Sequence, residues 1–211
     1  MVTMSTTITA KTLSEIISET RMLIGDASDI SNTWSEQEVI SSVNFAVQMY
    51  CRQTNCNYVE EVRALDNAGK TSLPVNDYLS IERCKYDAKV LLLTSKEDEE
   101  IKNVSWETVS GTPSRWLVYD GKSIKVTPYP TSNKNITLGY VKNPAIMSLL
   151  TDTVDSSIPL PHHIYLKFAA ASWLFVIDGD KQDLQQSLLF MQVFNQFIGV
   201  QTPQSNTGKA E

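Results

Sequence analysis

The sequence predicts an α+β fold: a helical bundle formed by N-terminal and C-terminal helices, with an antiparallel β-rich region inserted between them. Three observations carry this expectation. Apolar residues recur at helical spacing near both ends of the chain, short β-prone runs alternate with turn signals in its middle, and the last residues offer no apolar anchor. The expected boundaries are 1–56 with 142–200 for the bundle, 57–141 for the β-rich subdomain, and 201–211 for a flexible tail.

The first helix is signalled by Thr12 and Glu15, spaced as a capping box, with Leu13, Ile16, Ile17, Leu23 and Ile24 on one stripe and Gly25 as its stop. A second helix starts at Ser35, where Ser35 and Glu38 repeat the box and Trp34 and Val39 hold the two positions of a hydrophobic staple. Its apolar face is Val39, Ile40, Val43, Ala46, Val47 and Tyr50.

From Tyr58 to Val141 the periodicity shortens. Asp66-Asn67-Ala68-Gly69 and Lys85-Tyr86-Asp87-Ala88 sit where turns belong, with Tyr78 to Ile81 and Val90 to Leu93 as strands around the second. Glu97-Asp98-Glu99-Glu100 after Ser95 reads as a solvated helix start, since carboxylates favour the positive end of a helix. Asp120-Gly121 divides a hairpin spanning Arg115 to Thr127, and a third strand follows with Ile136, Leu138 and Tyr140 on one face.

Beyond Pro159 and Pro161 the residues His162 to Ile177 form a strongly apolar helix that must be covered on most sides. Asp180 is placed to cap the last helix, in which Leu184, Leu188, Met191 and Phe194 share a flank and Phe190, Val193 and Phe197 widen it.

Composition narrows the function. The chain has 211 residues, 42% of them hydrophobic and 20% charged, the range of a globular protein with one principal core. A net charge of −6 disfavours nucleic-acid binding as a primary role. No apolar run reaches the roughly 20 residues that cross a bilayer, and MVTMSTTITAK lacks the apolar middle of a signal peptide, so the expectation is a protein made and kept in the cytoplasm. Cys51, Cys56 and Cys84 form no disulfide framework and are expected reduced, as buried or idle thiols. The sequons at Asn103 and Asn135 are taken as chance.

No catalytic constellation is expected. His162 and His163 are adjacent, about 100° apart on a helix, and cannot clamp one metal; they read as residues at a helix start. Ala68-Gly69-Lys70-Thr71 resembles the end of a phosphate-binding loop, but the earlier glycine position holds Ala64, and Ser72-Leu73-Pro74 cannot begin the helix that such a loop needs. Neither enzyme activity, cofactor nor metal is therefore expected.

The linear order of several motifs is more telling. It runs from Trp34-Ser35-Glu36-Gln37-Glu38 into a helix with Asn44 and Ala46, then Leu73-Pro74-Val75-Asn76-Asp77-Tyr78. Next come Gly111-Thr112-Pro113, Trp116 to Tyr119, Asp120-Gly121, Ile124 to Thr127, Pro128-Tyr129-Pro130 and Tyr140, and finally Ile158-Pro159-Leu160-Pro161 before an Ala-rich helix. Over Thr12 to Phe197 this order resembles the head-to-tail adaptor, or connector, proteins of tailed phages, above all short-tailed ones.

The resemblance implies a structural virion protein in the neck, made in the host cytoplasm. It implies a homo-oligomeric ring, typically dodecameric, that joins the portal protein to a tail or nozzle protein and leaves a channel for DNA, which passes only as cargo during ejection. Wide apolar helix faces suit such a ring, and negative charge suits a conduit that should not hold phosphates. In these proteins the C-terminal tail orders against the portal, which makes Gln201, Thr202, Pro203, Gln204, Ser205, Asn206 and Thr207 the candidate portal-binding residues, although this tail is short and nearly featureless. The alternative is a tail completion protein or another virion interaction module without a portal contact.

Overall fold

The computed structural model describes residues 9–26, 33–73, 78–132, 135–177 and 183–199. Two compact units divide the chain, one drawn from residues up to Cys56 and from Pro144 onward, the other running from Asn57 to Asn143.

In the first unit, α1 (Leu13–Leu23) and α2 (Glu36–Thr54) both begin at reciprocal capping boxes. The Thr12 N–H donates to the Glu15 carboxylate at 2.7 Å, and the Ser35 N–H to that of Glu38 at 2.6 Å. Each box satisfies donors that the first helical turn leaves free. The Asp26 carboxylate, buried just past α1, pairs with Arg21 and accepts from the Thr33 N–H, which draws the exit of α1 and the start of α2 onto one group.

A 3-10 segment, Leu160–Tyr165, precedes α4 (Leu166–Ile177), so the α-helix begins four residues later than His162. Helix α4 packs against α1, α2 and α5, and Leu166, Ala169, Ala170, Ala171 and Leu174 are wholly buried. The alanines let neighbouring backbones approach closely. One polar link crosses this core, with Ser172 Oγ 3.0 Å from Ser187 Oγ of α5. Helix α5 (Leu184–Ile198) is capped by Asp183, whose carboxylate accepts from the Gln185 and Gln186 N–H groups at 3.0 Å. The cap expected at Asp180 lies outside the described residues.

The second unit holds β1 (Tyr58–Ala64), β2 (Lys70–Ser72), β3 (Tyr78–Tyr86), β4 (Lys89–Val90), β5 (Leu92–Leu93), β6 (Arg115–Tyr119), β7 (Ser123–Thr127) and β8 (Asn135–Lys142), with the short α3 (Lys96–Lys102) between β5 and β6. One sheet runs β1-β8-β3-β4 and the other β2-β7-β6-β5. Both supply one apolar core, in which Cys84, Ile136, Leu138 and Tyr140 of the first sheet meet Trp116, Ile124 and Val126 of the second. At Gly139 the Tyr58 ring covers the backbone so closely that a Cβ would lie 2.0 Å from its hydroxyl.

This architecture corrects the expected fold class. Among the described residues there are five α-helices and eight strands, and the strands build two four-stranded sheets in the middle of the chain instead of an antiparallel insert in a helical bundle. Three local differences produce it. Strand β8 does not extend the β6-β7 hairpin but crosses to the other sheet and pairs with β1 and β3, for example Glu60 with Gly139 and Ile81 with Tyr140. Strands β5 and β6 are parallel, which requires a crossover, and residues 94–114 supply one that contains α3. Strand β3 continues through Lys85 and Tyr86, so the turn there is only Asp87-Ala88, both with positive φ.

The acidic run is also more than a solvated helix start. A helix does start there, with Ser95 as its cap, yet Glu99 is buried with its carboxylate 2.7 Å from Arg115 Nε and 3.0 Å from its terminal nitrogen. Burial alone would raise the Glu99 carboxyl, but hydrogen bonds from Arg115, Thr94 and Lys102 outweigh it and hold the group below its ordinary value. Replacing Arg115 with Met is expected to destabilise the chain by about 2–3 kcal/mol in urea unfolding, because a buried carboxylate loses its main partner. The double variant Glu99→Gln/Arg115→Met is expected to be more stable than Arg115→Met alone.

Candidate interaction surface

Helix α5 carries the surface that most needs explanation. Ser187 and Phe194 are its buried residues, whereas Leu184, Leu188 and Leu189 are more than half exposed and Phe197 is 47% exposed. The flank expected to group Leu184, Leu188, Met191 and Phe194 is split by the packing. Phe194 turns into the core with its ring edge-on to Tyr50 at 6.4 Å, while Leu184 and Leu188, one turn apart, face outward. Val176 and Ile177 at the end of α4 and Ile164 before it are exposed as well. Covering any one of the three leucines stabilises by about 1–2 kcal/mol, and apolar helix surface of this kind marks interaction sites.

On α2 an open cleft of about 390 Å³ is lined by Ile40, Asn44, Phe45, Ile146, Met147 and Trp173, among others. The Asn44 side-chain amide accepts from the Met147 N–H at 2.8 Å and donates to its carbonyl at 2.9 Å, holding residues 146–148 as a strand partner would. Phe45 and Trp173 stack at 3.9 Å beside it. Asn44 and Ala46, quoted above only as part of a pattern, thus have separate duties: Asn44 pins a loop and Ala46 is fully buried.

The adjacent histidines lie in the 3-10 segment, and each has its own partner. His162 Nδ1 is 2.5 Å from the Tyr50 hydroxyl. Buried His163 accepts at Nδ1 from the Lys11 N–H at 3.2 Å and reaches the Ile158 carbonyl through Nε2 at 3.0 Å, so its neutral Nε2–H form uses both nitrogens. Thr12 bridges to Thr153 beside it, so His163 helps hold the strand-like segment ahead of α1. Lys70 and Thr71, the remnant of the phosphate-loop pattern, begin strand β2, and Gly69 turns into that strand at φ +72°. Lys70 and Lys125 both lie over the Tyr119 ring, at 4.0 and 5.2 Å.

The thiols are not all isolated. Cys51 and Cys56 are both free thiols, and the Cys56 thiol donates to Cys51 Sγ at 3.4 Å, a pairing that sequence spacing alone did not suggest. The available signal was Asn55, whose left-handed conformation (φ 54°) ends α2 and folds Cys56 back over its last turn. Cys84 is separate, buried in the β core, where burial pushes its thiol up to about 12. Among the described residues no group of three or more His, Cys, Asp or Glu converges as a metal site would require, and no helix is long and apolar enough to cross a membrane. Gln201 to Thr207 lie outside the described residues.

Burial, above all, lowers the pKa of His163. The imidazole of the unfolded chain titrates near its ordinary value of about 6.5, while the folded chain keeps it neutral to lower pH. Unfolding therefore takes up a proton between those two values: the contribution of His163 is complete above about pH 6.5 and is lost as the pH falls below it. Thermal midpoints measured from about pH 7.5 down to about pH 5.5 should fall, and His163→Gln should flatten that part of the profile.

Comparison with known proteins gives the frame for these surfaces. No curated protein matches the chain. The family model of the SU10 adaptor proteins matches residues 11–210, a span that begins at the segment held by His163, takes in every helix and strand from α1 to α5, and continues across Gln201 to Thr207. Adaptors of this kind are structural and not enzymatic, and their partners are other proteins of the virion. With nearly its whole length matched, the chain belongs to the SU10 adaptor protein family and is a structural adaptor of a phage.

Proposed function

We propose that the chain assembles into a ring in the phage neck, docks beneath the portal, and leaves a channel through which DNA passes. The observation that carries this reading is the outward apolar stripe of α5, Leu184 and Leu188, in a family of adaptors. A subunit of a closed ring buries two different flanks, so it needs more apolar helix surface than its own core consumes. The unit containing α1, α2, α4 and α5 serves subunit-to-subunit and portal contacts, and the β unit serves the tail or nozzle protein, for which the exposed Leu92 and Leu93 of edge strand β5 are contact points. Gln201 to Thr207 contact the portal on docking, a role supported by the extension of the family match to residue 210. The net charge of −6 favours passage of DNA over its retention.

Purified protein mixed with its cognate portal is expected to form rings on the portal visible by electron microscopy, and a chain that stays monomeric and unbound would overturn the proposal. Leu184→Asp/Leu188→Asp should abolish ring formation with unchanged circular dichroism. Removal of residues 201–211 should weaken portal docking at least tenfold without altering the fold, and unchanged docking would reject the tail contact.

A further inference from the structure

The end of α2 is built in a way that adaptor function does not require. Asn55 takes the left-handed conformation that closes a helix, and the residue after such a cap folds back onto the helix residue five positions earlier. That contact is ordinarily made by two inert apolar side chains. Here the two residues are Cys56 and Cys51, and their sulfurs lie 3.4 Å apart. Ser157 Oγ is a further 3.6 Å neighbour of Cys56 Sγ.

We propose that Cys51 and Cys56 form a two-thiol oxidation site, closed to an intramolecular disulfide by a small-molecule disulfide of the glutathione class. Their roles are unequal. Cys51 is fully buried, while Cys56 is partly exposed and is the sulfur a reagent can reach. Between the two thiols Cys56 is the donor; once Cys56 ionises, the protonated Cys51 is left as the partner of its thiolate, which holds Cys56 down at about 6 and pushes Cys51 up. Cys56 is thus the attacking group at neutral pH.

The chemistry proceeds by two exchanges. The Cys56 thiolate attacks one sulfur of oxidised glutathione, forming a Cys56–glutathione bond and releasing one glutathione thiolate. That step removes the thiolate to which Cys51 donates, and with it the main cause of the raised Cys51 pKa. Cys51 then attacks the Cys56 sulfur, forming the Cys51–Cys56 bond and expelling a second glutathione, whose sulfur takes up the proton that Cys51 gives up. Two protein thiols are oxidised by two electrons, and one glutathione disulfide is reduced to two thiols. The product is a covalent ring across the cap of α2, next to the point where the chain leaves for β1.

The test uses the purified full chain, fully reduced, in buffers of graded oxidised-to-reduced glutathione, with peptide mass spectrometry as the readout. Free thiols should fall from three to one, with Cys51 and Cys56 linked within one chain and Cys84 unmodified. Cys51→Ala should stop at a stable glutathione adduct on Cys56, and Cys56→Ser should form neither adduct nor disulfide. Iodoacetamide labelling of Cys56 in Cys51→Ala should be slower at pH 7 than in the parent, since the stabilising donor is gone. Persistence of both thiols across the whole buffer range, disulfides between chains, or adducts first at Cys84 would each overturn the proposal. None of these readouts involves the portal, so they are independent of ring assembly.

Discussion

Helix α4 presents almost nothing polar to water, and the rest of its unit is arranged around that fact. Leu166, Ala169, Ala170, Ala171 and Leu174 point in several directions around the helix and are all buried, so α1, α2 and α5 must each cover a different side. A surface helix can settle with one face in water; α4 is covered along its length and opens only at its end, at Val176 and Ile177. The small alanines then decide how near the covering helices come, and Ser172 with Ser187 gives α5 a specific register where apolar packing alone would allow sliding. What α5 still exposes after it has covered α4, chiefly Leu184 and Leu188, is surplus to the needs of a single chain.

The β unit obeys a different constraint. Neither sheet has a core of its own: each buries one face against the other, and the buried set alternates between them through Leu138, Ile124, Tyr140 and Val126. The polar members of the unit sit where geometry pairs them. Lys125 is buried beneath the Trp106 and Tyr119 rings, at 4.7 and 5.2 Å, and Glu99 is held by Arg115. Burial lowers the pKa of Lys125, and the nearby Glu107 carboxylate opposes that effect. These charged groups meet on the face of β6 and β7 opposite the shared core, which residues 94–114 cover, and are tolerated there because each has a partner or an aromatic face.

Features set by neighbours three or four residues apart were legible in the sequence. Both capping boxes, the helix start after Ser95 and the Asp120-Gly121 turn depend on contacts within one turn of chain, and all four stand where the residues indicated. Strand faces were legible too: Ile136, Leu138 and Tyr140 are buried together on β8. The partner of that strand was not, because alternation shows which face is apolar and says nothing about which distant strand lies alongside. The same limit explains Glu99, whose burial depends on Arg115 sixteen residues away, and Asn44, whose partner Met147 is 103 residues away. The stripe on α5 was visible as a wide apolar arc, but only packing distinguished the buried Phe194 from the outward leucines.

The placement of β8 and α4 orders events on the ribosome. The β unit has all its strands once the chain reaches Lys142, within the compact span Asn57 to Asn143. Helices α1 and α2 are made before any of those strands, yet the helix that covers them starts only at Leu166. These two earlier helices are therefore the last to be covered, and their apolar faces await α4 through the whole synthesis of the sheets. For that interval the apolar faces of α1 and α2 have no α4 to cover them, the kind of transiently exposed surface on which misassembly acts.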